Sequence, residues 1–362
     1  RPRVQLHAQG IVLRDEVPGA LIKTKQQQVC RAGEFLVAEI DAKVGGFGVV
    51  PEALDGTIVS SHYFLFDLDE AKLERGFLDY FVRTLAFREQ VDAQGSTNYA
   101  AIRPADVLGY EIPLPPLAEQ RRVVARIEEL AIQIHEAHTL RQQAGSEMAS
   151  LESANVDAVL NRVGLTVPLV SLESVAESIT DGDHLPPPKA DTGVPFLFIS
   201  HVVRGVVDFT NCKYVPVEYF EALAESRVPR RGDVLYTTVG SYGVPCLVDT
   251  DQRFCFQRHV ALIRPKLDRV SPRYLLWALR SRAVFNQATS LATGSAQLTV
   301  PLRGIRMLSV PLPEMTQQHR IVAELDGLRV EVDVLRRLQA ERAVELDALL
   351  PAILDRAFKG QL

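Results

Sequence analysis

Ile112-Pro113-Leu114-Pro115 leads into Leu117, Glu119-Gln120-Arg121-Arg122-Val123-Val124-Ala125, and the same pattern returns 198 residues on, where Val310-Pro311-Leu312-Pro313 leads into Met315, Gln317-Gln318-His319-Arg320-Ile321-Val322-Ala323. A solenoid unit repeats every ~20–50 residues, so this period is too long for one. It marks a duplicated domain-plus-helix. Duplication of a binding unit implies a target with two similar halves.

The repeat extends upstream. Gly33-Glu34-Phe35-Leu36 matches Gly232-Asp233-Val234-Leu235, and Gly48-Val49 matches Gly243-Val244. Ser60-Ser61-His62-Tyr63 lies opposite Gln257-Arg258-His259-Val260, and Gly95-Ser96-Thr97-Asn98 opposite Gly294-Ser295-Ala296-Gln297. Residues between these anchors differ strongly, as expected of one scaffold reading two different things. The copies are unequal at their starts, with 64 residues from Pro168 to Gly232 but only 32 before Gly33. The expectation is a first domain lacking its opening strands, with a genuinely short form as the alternative.

After Pro116 the pattern turns helical. Ile127, Leu130, Ile134, Ala137, Ala144, Met148 and Leu151 recur in steps of three and four, with Arg141 in one slot. After Pro313 the same steps give Ile321, Leu325, Leu328, Val332, Leu335, Leu346, Leu349 and Ile353, interrupted by Gln339 and Arg342. Heptad stripes of this length pair as coiled coils. A compact domain keeps its ends close, so the helices entering and leaving the second domain should run side by side and antiparallel. Pro351 is expected to kink the second helix.

The rest of the second copy alternates short β-rich runs (Phe196–Ile199, Val234–Tyr236, Cys246–Val248, Val260–Ile263) with helical ones (Val217–Ala224, Pro272–Ala288). The first copy offers Phe35–Ile40, Val49-Val50 and Tyr63–Phe66, then a helix from Phe77 to about Val91. The class is α+β: mostly antiparallel sheets with flanking helices, in two domains separated by two long helices. The boundaries are 1–114, 115–163, 164–312 and 313–362.

At 362 residues and 47% hydrophobic the chain can bury two cores, and no apolar run approaches a membrane span. Cys30, Cys212, Cys246 and Cys255 form no C-x-x-C pair, which points to a reducing cytoplasm and away from structural zinc. Net charge is −5, so the whole chain is not a basic nucleic-acid binder; residues 166–312 form the only block with excess cations.

No catalytic constellation emerges. There is no P-loop, no nucleophile elbow and no amino-methyltransferase Asn/Asp-Pro-Pro-Tyr/Phe run. Gly45-Gly46-Phe47-Gly48 is a turn rather than a dinucleotide fingerprint, and His135 with His138 lacks a third metal ligand. Polar, turn-rich stretches carry donors suited to phosphates and base edges instead. They supply the candidate DNA-contact residues Lys43, Ser60, Ser61, His62, Thr97, Asn98, Asp181, His184, Lys189, Ser241, Tyr242, Gln257, Arg258, His259, Ser295 and Gln297. Gln and Arg among them are the bidentate readers of adenine and guanine.

Taken together, the two Pro-Leu-Pro helix starts, the closing Leu350 to Leu362, Asp181-Gly182-Asp183-His184 and Gly232-Asp233-Val234-Leu235 resemble specificity subunits of Type I restriction-modification enzymes over nearly the whole chain. The departure is the first domain, which has no counterpart of Asp181 to Lys189. The resemblance implies two target-recognition domains on double-stranded DNA, each holding half of a bipartite sequence. It implies helices that set the spacer and dock two modification subunits. Those partners would carry S-adenosylmethionine and methylate adenine; a restriction subunit would bring ATP and Mg. The chain itself would bind no cofactor and catalyse nothing. A non-catalytic coiled-coil scaffold for other proteins, or an inactive fragment of a specificity subunit, are the competing readings.

Overall fold

The structure is a computed structural model that describes residues 1–5, 9–22, 26–91, 102–182, 187–202, 205–295 and 297–362. The chain divides into two compact α+β units, residues 1–143 with 338–362, and residues 144–337.

The second unit is built on an antiparallel sheet in the spatial order Pro245–Leu247, Val234–Thr237, Val260–Pro265, Ala176–Asp181. Its two central strands are buried on both faces, and the two-residue period divides their side chains between two cores. Val234, Tyr236, Ala261 and Ile263 face a cluster with Trp277, Tyr274 and Leu275. Leu235, Val260 and Leu262 face another with Leu197, Cys246 and Phe254. A smaller sheet joins Lys213–Val215 and Cys255–Phe256 to Val194–Leu197, the last pair in parallel. In the first unit, Phe47–Val49, Phe35–Ala38 and Tyr63–Phe66 form the matching antiparallel three strands.

The single helices expected over Pro272–Ala288 and Phe77–Val91 are each broken. The segments are Pro272–Arg280 and Arg282–Leu291 in one unit, Arg75–Phe81 and Leu85–Arg88 in the other. The cause is the same in both. Ser281 and Thr84 adopt extended backbone, and each side-chain hydroxyl accepts from a backbone N–H in the next helix's first turn, Val284 at 3.3 Å and Phe87 at 3.3 Å. A buried hydroxyl of this kind stabilises a new helix start in place of continuation. Val217–Ala224 is helical only over Val217–Glu221.

The long helices run Leu117–Gly164 and Met315–Phe358, and the second continues through Pro351. Each unit takes one end of each. Val123, Val124 and Ile127 join Leu354 and Ala357 in the first core, while Val156, Val159, Leu160 and Val163 join Ile321 and Leu325 in the second. Within each unit the start of one helix therefore lies with the end of the other, which is an antiparallel pairing. His138 Nε2 lies 3.5 Å from Asp347 Oδ1 in the first unit. In the second, Arg336 reaches Glu152 at 2.6 Å and Arg162 reaches Glu324 at 3.7 Å. Such exposed pairs fix register more than they stabilise, at about 0–1 kcal/mol each.

The seam departs from a strict heptad. Ile127 and Leu325 are buried, and Leu130, Ile134, Met148, Leu328, Val332 and Leu346 are half-buried. Leu151, Leu335 and Leu349, however, are 59%, 49% and 45% exposed and lie off the seam. Arg342 is exposed too, whereas Arg141 and Gln339 are half-buried. After Val332 the covered positions continue at Gln339, Ala343, Leu346, Leu350 and Ile353, one residue later than a strict heptad places them near 342 and 349. A 3.6-residue helix drifts ~20° per heptad, so an occasional extra step of four keeps the covered stripe on one face. Leu325→Asp should therefore unfold the second unit, since it places a charge among buried apolar groups, while Leu335→Asp should change stability by less than about 0.5 kcal/mol. Thermal melts followed by circular dichroism separate the two; equal losses would show that the seam runs elsewhere.

Candidate nucleic-acid interface

The sheet of the second unit gathers most of its polar loop residues at one end. Asp181 closes its strand opposite Ala261, next to the turn Gln257–Val260, where Val260 N–H donates to Gln257 O at 3.2 Å. Thr238 N–H donates to His259 O at 2.9 Å, Val300 N–H to Thr238 O at 2.8 Å, and Gly240 N–H to Leu298 O at 3.0 Å. Asp181, Gln257, Arg258, His259, Ser241, Tyr242 and Gln297, from four stretches of sequence, thus sit around the same strand ends.

Thr237 shapes the loop that carries Ser241 and Tyr242. It is fully buried, and its Oγ1 donates to Ser241 O at 2.7 Å while accepting from Val244 N–H at 2.9 Å. Tyr242 stacks on Phe285 with centroids 5.7 Å apart and planes 8° from parallel, and its hydroxyl lies 3.2 Å from Thr289 Oγ1. This close approach requires the left-handed glycine beside it: a Cβ at Gly243 (φ +86°) would meet the Phe285 ring at 2.7 Å. Gln297 is exposed and lies over the turn, its amide nitrogen 2.8 Å from where a Gly240 Cβ would stand.

Arg258 is exposed and, among the described residues, pairs with no carboxylate. His259 is half-buried, and burial, then the neighbouring Arg258 charge, push its pKa below the usual histidine range. Asp181 faces Arg227 at 3.8 Å, a partner 46 residues away in sequence that periodicity does not reveal. Ser295 is exposed, and Lys189 is exposed beside Ala190, which bridges Tyr214 on the smaller sheet. His184, Thr97 and Asn98 lie outside the described residues, as does Asp183.

The first unit repeats several backbone bonds of this frame. Glu39 N–H donates to His62 O at 2.9 Å and Ile102 N–H to Glu39 O at 3.0 Å, as Thr238 and Val300 do in the other unit. Gly33 N–H donates to Val50 O at 2.8 Å, as Gly232 N–H does to Val248 O at 2.9 Å. The backbone N–H of Arg31 is held by Glu34 at 2.6 Å, and that of Arg230 by Asp233 at 2.9 Å. Ser60, Ser61 and His62 occupy the turn equivalent to Gln257–His259, and Lys43 is exposed near the same end. The chemistry differs: Glu39 Oε2 takes His62 Nδ1 at 2.6 Å, so an acid stands where the second unit has Thr238.

Gln120 and Gln318 belong to the repeated motif, where no sequence pattern gives them a role. Both are fully buried at the joint between sheet domain and long helix, and both spend the whole side-chain amide there. Among the described residues, no three His, Cys, Asp or Glu side chains group as a metal site, and no helix is long and apolar enough to cross a membrane.

The repeated frame, with its antiparallel sheets and paired long helices, coincides with a solved fold. A chain from a structure of complex assembly and conformational transition of the type I R-M system aligns over 100% of this chain and 92% of its own length, at TM-score 0.74 and 27% identity. The chain is similar to Type I restriction specificity subunits. The HsdS subunit from Thermoanaerobacter tengcongensis matches 99% of it, and 89% of that subunit, at TM-score 0.58 and 27% identity. The Type I restriction enzyme EcoBI specificity subunit of Escherichia coli is 24% identical over 276 residues, 69% of this chain and 58% of that relative. The chain thus spans less than two thirds of this curated specificity subunit. No family model matches the chain.

Proposed function

We propose that this chain is the DNA-recognition subunit of a Type I restriction-modification complex. Its two target-recognition domains, residues 1–114 and 164–312, each read one half of a bipartite sequence, and its helices, 115–163 and 313–362, dock two modification subunits. The observation that carries this reading is the duplicated loop end. Two copies of one hydrogen-bonded frame present different side chains at matched places, as two different half-sites require. In the second copy the set suits base edges: Gln257 and Arg258 are the residue types that pair bidentately with adenine and guanine, and Tyr242 and Gln297 flank them. Lys189 and Lys43 supply phosphate contacts that position without specifying.

The chemistry belongs to partners in this reading. The modification subunits bring S-adenosylmethionine to an adenine taken out of the stack, and the restriction subunit brings ATP and Mg. This chain selects the site and holds flanking phosphates while the duplex deforms.

Methylome sequencing of cells with and without the chain tests the reading: a bipartite adenine-methylation motif should vanish with it, and an unchanged methylome would reject it. Affinity for DNA in the assembled complex should also fall steeply with salt. A salt-independent complex would favour a protein scaffold instead. Arg258→Ala should cost about 1–3 kcal/mol of discrimination at one base of one half-site and nothing at the other. Competition binding with single-base substituted duplexes measures this, and unchanged discrimination removes Arg258 from the interface.

A further inference from the structure

The same side chain makes the same three bonds at both joints. Gln120 Oε1 accepts from Glu74 N–H at 2.8 Å, and its Nε2 donates to Lys72 O at 2.7 Å and Pro115 O at 2.7 Å. Gln318 Oε1 accepts from Ser271 N–H at 2.8 Å, and its Nε2 donates to Arg269 O at 3.0 Å and Pro313 O at 2.9 Å. Glu74 and Ser271 are the N-cap residues of the helices Arg75–Phe81 and Pro272–Arg280. Each amide therefore ties three things at one point: the first turn of a long helix, the proline segment that feeds it, and the cap of the helix packed on its own sheet. Both glutamines are fully buried. Only a carboxamide supplies two donors and an acceptor in that plane; ionised glutamate is acceptor-only and would face two carbonyls.

We infer that Gln120 and Gln318 are positioning residues that lock the angle at which each recognition domain meets its long helix, and so set the spacing between half-sites that the complex accepts. The inference rests on the DNA-recognition reading above. Packing alone gives a joint attraction without direction, because apolar contacts slide. Three short hydrogen bonds from one planar group fix orientation. The leverage is large: a tilt of about 5° moves a point roughly 40 Å along a helix by about 3.5 Å, close to the rise of one base pair. A bond lost at the joint thus alters spacing while leaving the base-reading loops intact.

The test uses the full chain assembled with its modification subunits. Binding and methylation are measured on duplexes carrying the native spacer and spacers one base pair longer or shorter. Wild type should prefer its native spacer by about tenfold or more; Gln120→Glu, Gln318→Glu and the apolar Gln318→Met should narrow this to about threefold or less. Base preference within each half-site should stay within about twofold of wild type. Phe47→Leu and Ile305→Val, which thin each core without removing a bond of either glutamine, serve as destabilised controls. Spacer discrimination retained in the Gln variants, or lost equally in the controls, overturns the inference, as does loss of half-site preference together with spacer preference. Failure of every Gln variant to fold also overturns it, because the amide would then be a folding determinant. If wild type itself shows no bipartite selectivity, the recognition reading fails on its own. Small-angle scattering of the free chain then decides the joint: Gln variants of unchanged helix content should broaden the distance distribution, and unchanged scattering rejects the lock.

Discussion

Trp277→Ala should be the most damaging single truncation in the second unit, costing about 3–5 kcal/mol and lowering its melting temperature by on the order of 10 °C. Trp277 is 2% exposed in the cluster that joins the helix Pro272–Arg280 to the ends of both long helices. Its indole N–H donates to Asp326 Oδ1 at 2.9 Å, while Arg273 holds the other oxygen at 2.6 Å. The Arg280 guanidinium lies 5.1 Å from its ring centroid. Truncation removes the ring from a packed core, strips one bond from a partly buried carboxylate and takes the aromatic face from a cation. The first loss dominates, because a cavity of that size does not collapse. Trp277→Phe keeps most of the volume and should lose about 1–2 kcal/mol. Calorimetry decides; a shift below about 3 °C for alanine would mean that the helices are held to this sheet by something else.

Gly182→Ala should destabilise the second unit and, under the proposed DNA-recognition role, weaken reading of one half-site. A Cβ at Gly182 would lie 2.1 Å from Phe256 O and 2.5 Å from Gln257 C, and these are backbone atoms that cannot rotate away. The chain must shift by about an ångström just where Gln257 and Arg258 are presented. Overpacking of this kind costs about 1–3 kcal/mol. The functional loss should be greater, because bidentate base contacts tolerate little displacement, and discrimination should fall tenfold or more at that half-site alone. Gly327→Ala is the counterpart: nothing lies within 4 Å of its Cβ position in the second long helix, so it should stabilise by about 0.5–1 kcal/mol and leave binding unchanged. Loss of binding in both variants, or in neither, would show that the turn beside Gly182 is not part of the interface.

Local patterns carried much of the fold. The strands Val234–Thr237 and Val260–Pro265 stand out as β-branched and aromatic runs, and the helix starts stand out because prolines end an extended segment just before an apolar period begins. The breaks at Thr84 and Ser281 were less visible, since a hydroxyl within a helical pattern reads as tolerated until its turn to cap is known. Leu151, Leu335 and Leu349 fit the heptad spacing yet lie exposed, for a related reason. Spacing says which residues share a stripe, but only a partner surface says where the stripe steps sideways.

The sequence by itself determined that this protein is a duplicated unit with a long helix after each copy, because repeated anchors and apolar periodicity are properties of the chain alone. Only the tertiary structure decided which polar residues meet. Asp181, Gln257 to His259, Ser241, Tyr242 and Gln297 come together because antiparallel strands return distant segments to one sheet end, and Arg227 reaches Asp181 from the short helical turn Glu225–Arg227. It also gave Gln120 and Gln318 their role, since a buried amide is defined by the carbonyls and N–H groups that surround it, and two of the three around each come from a segment about fifty residues away.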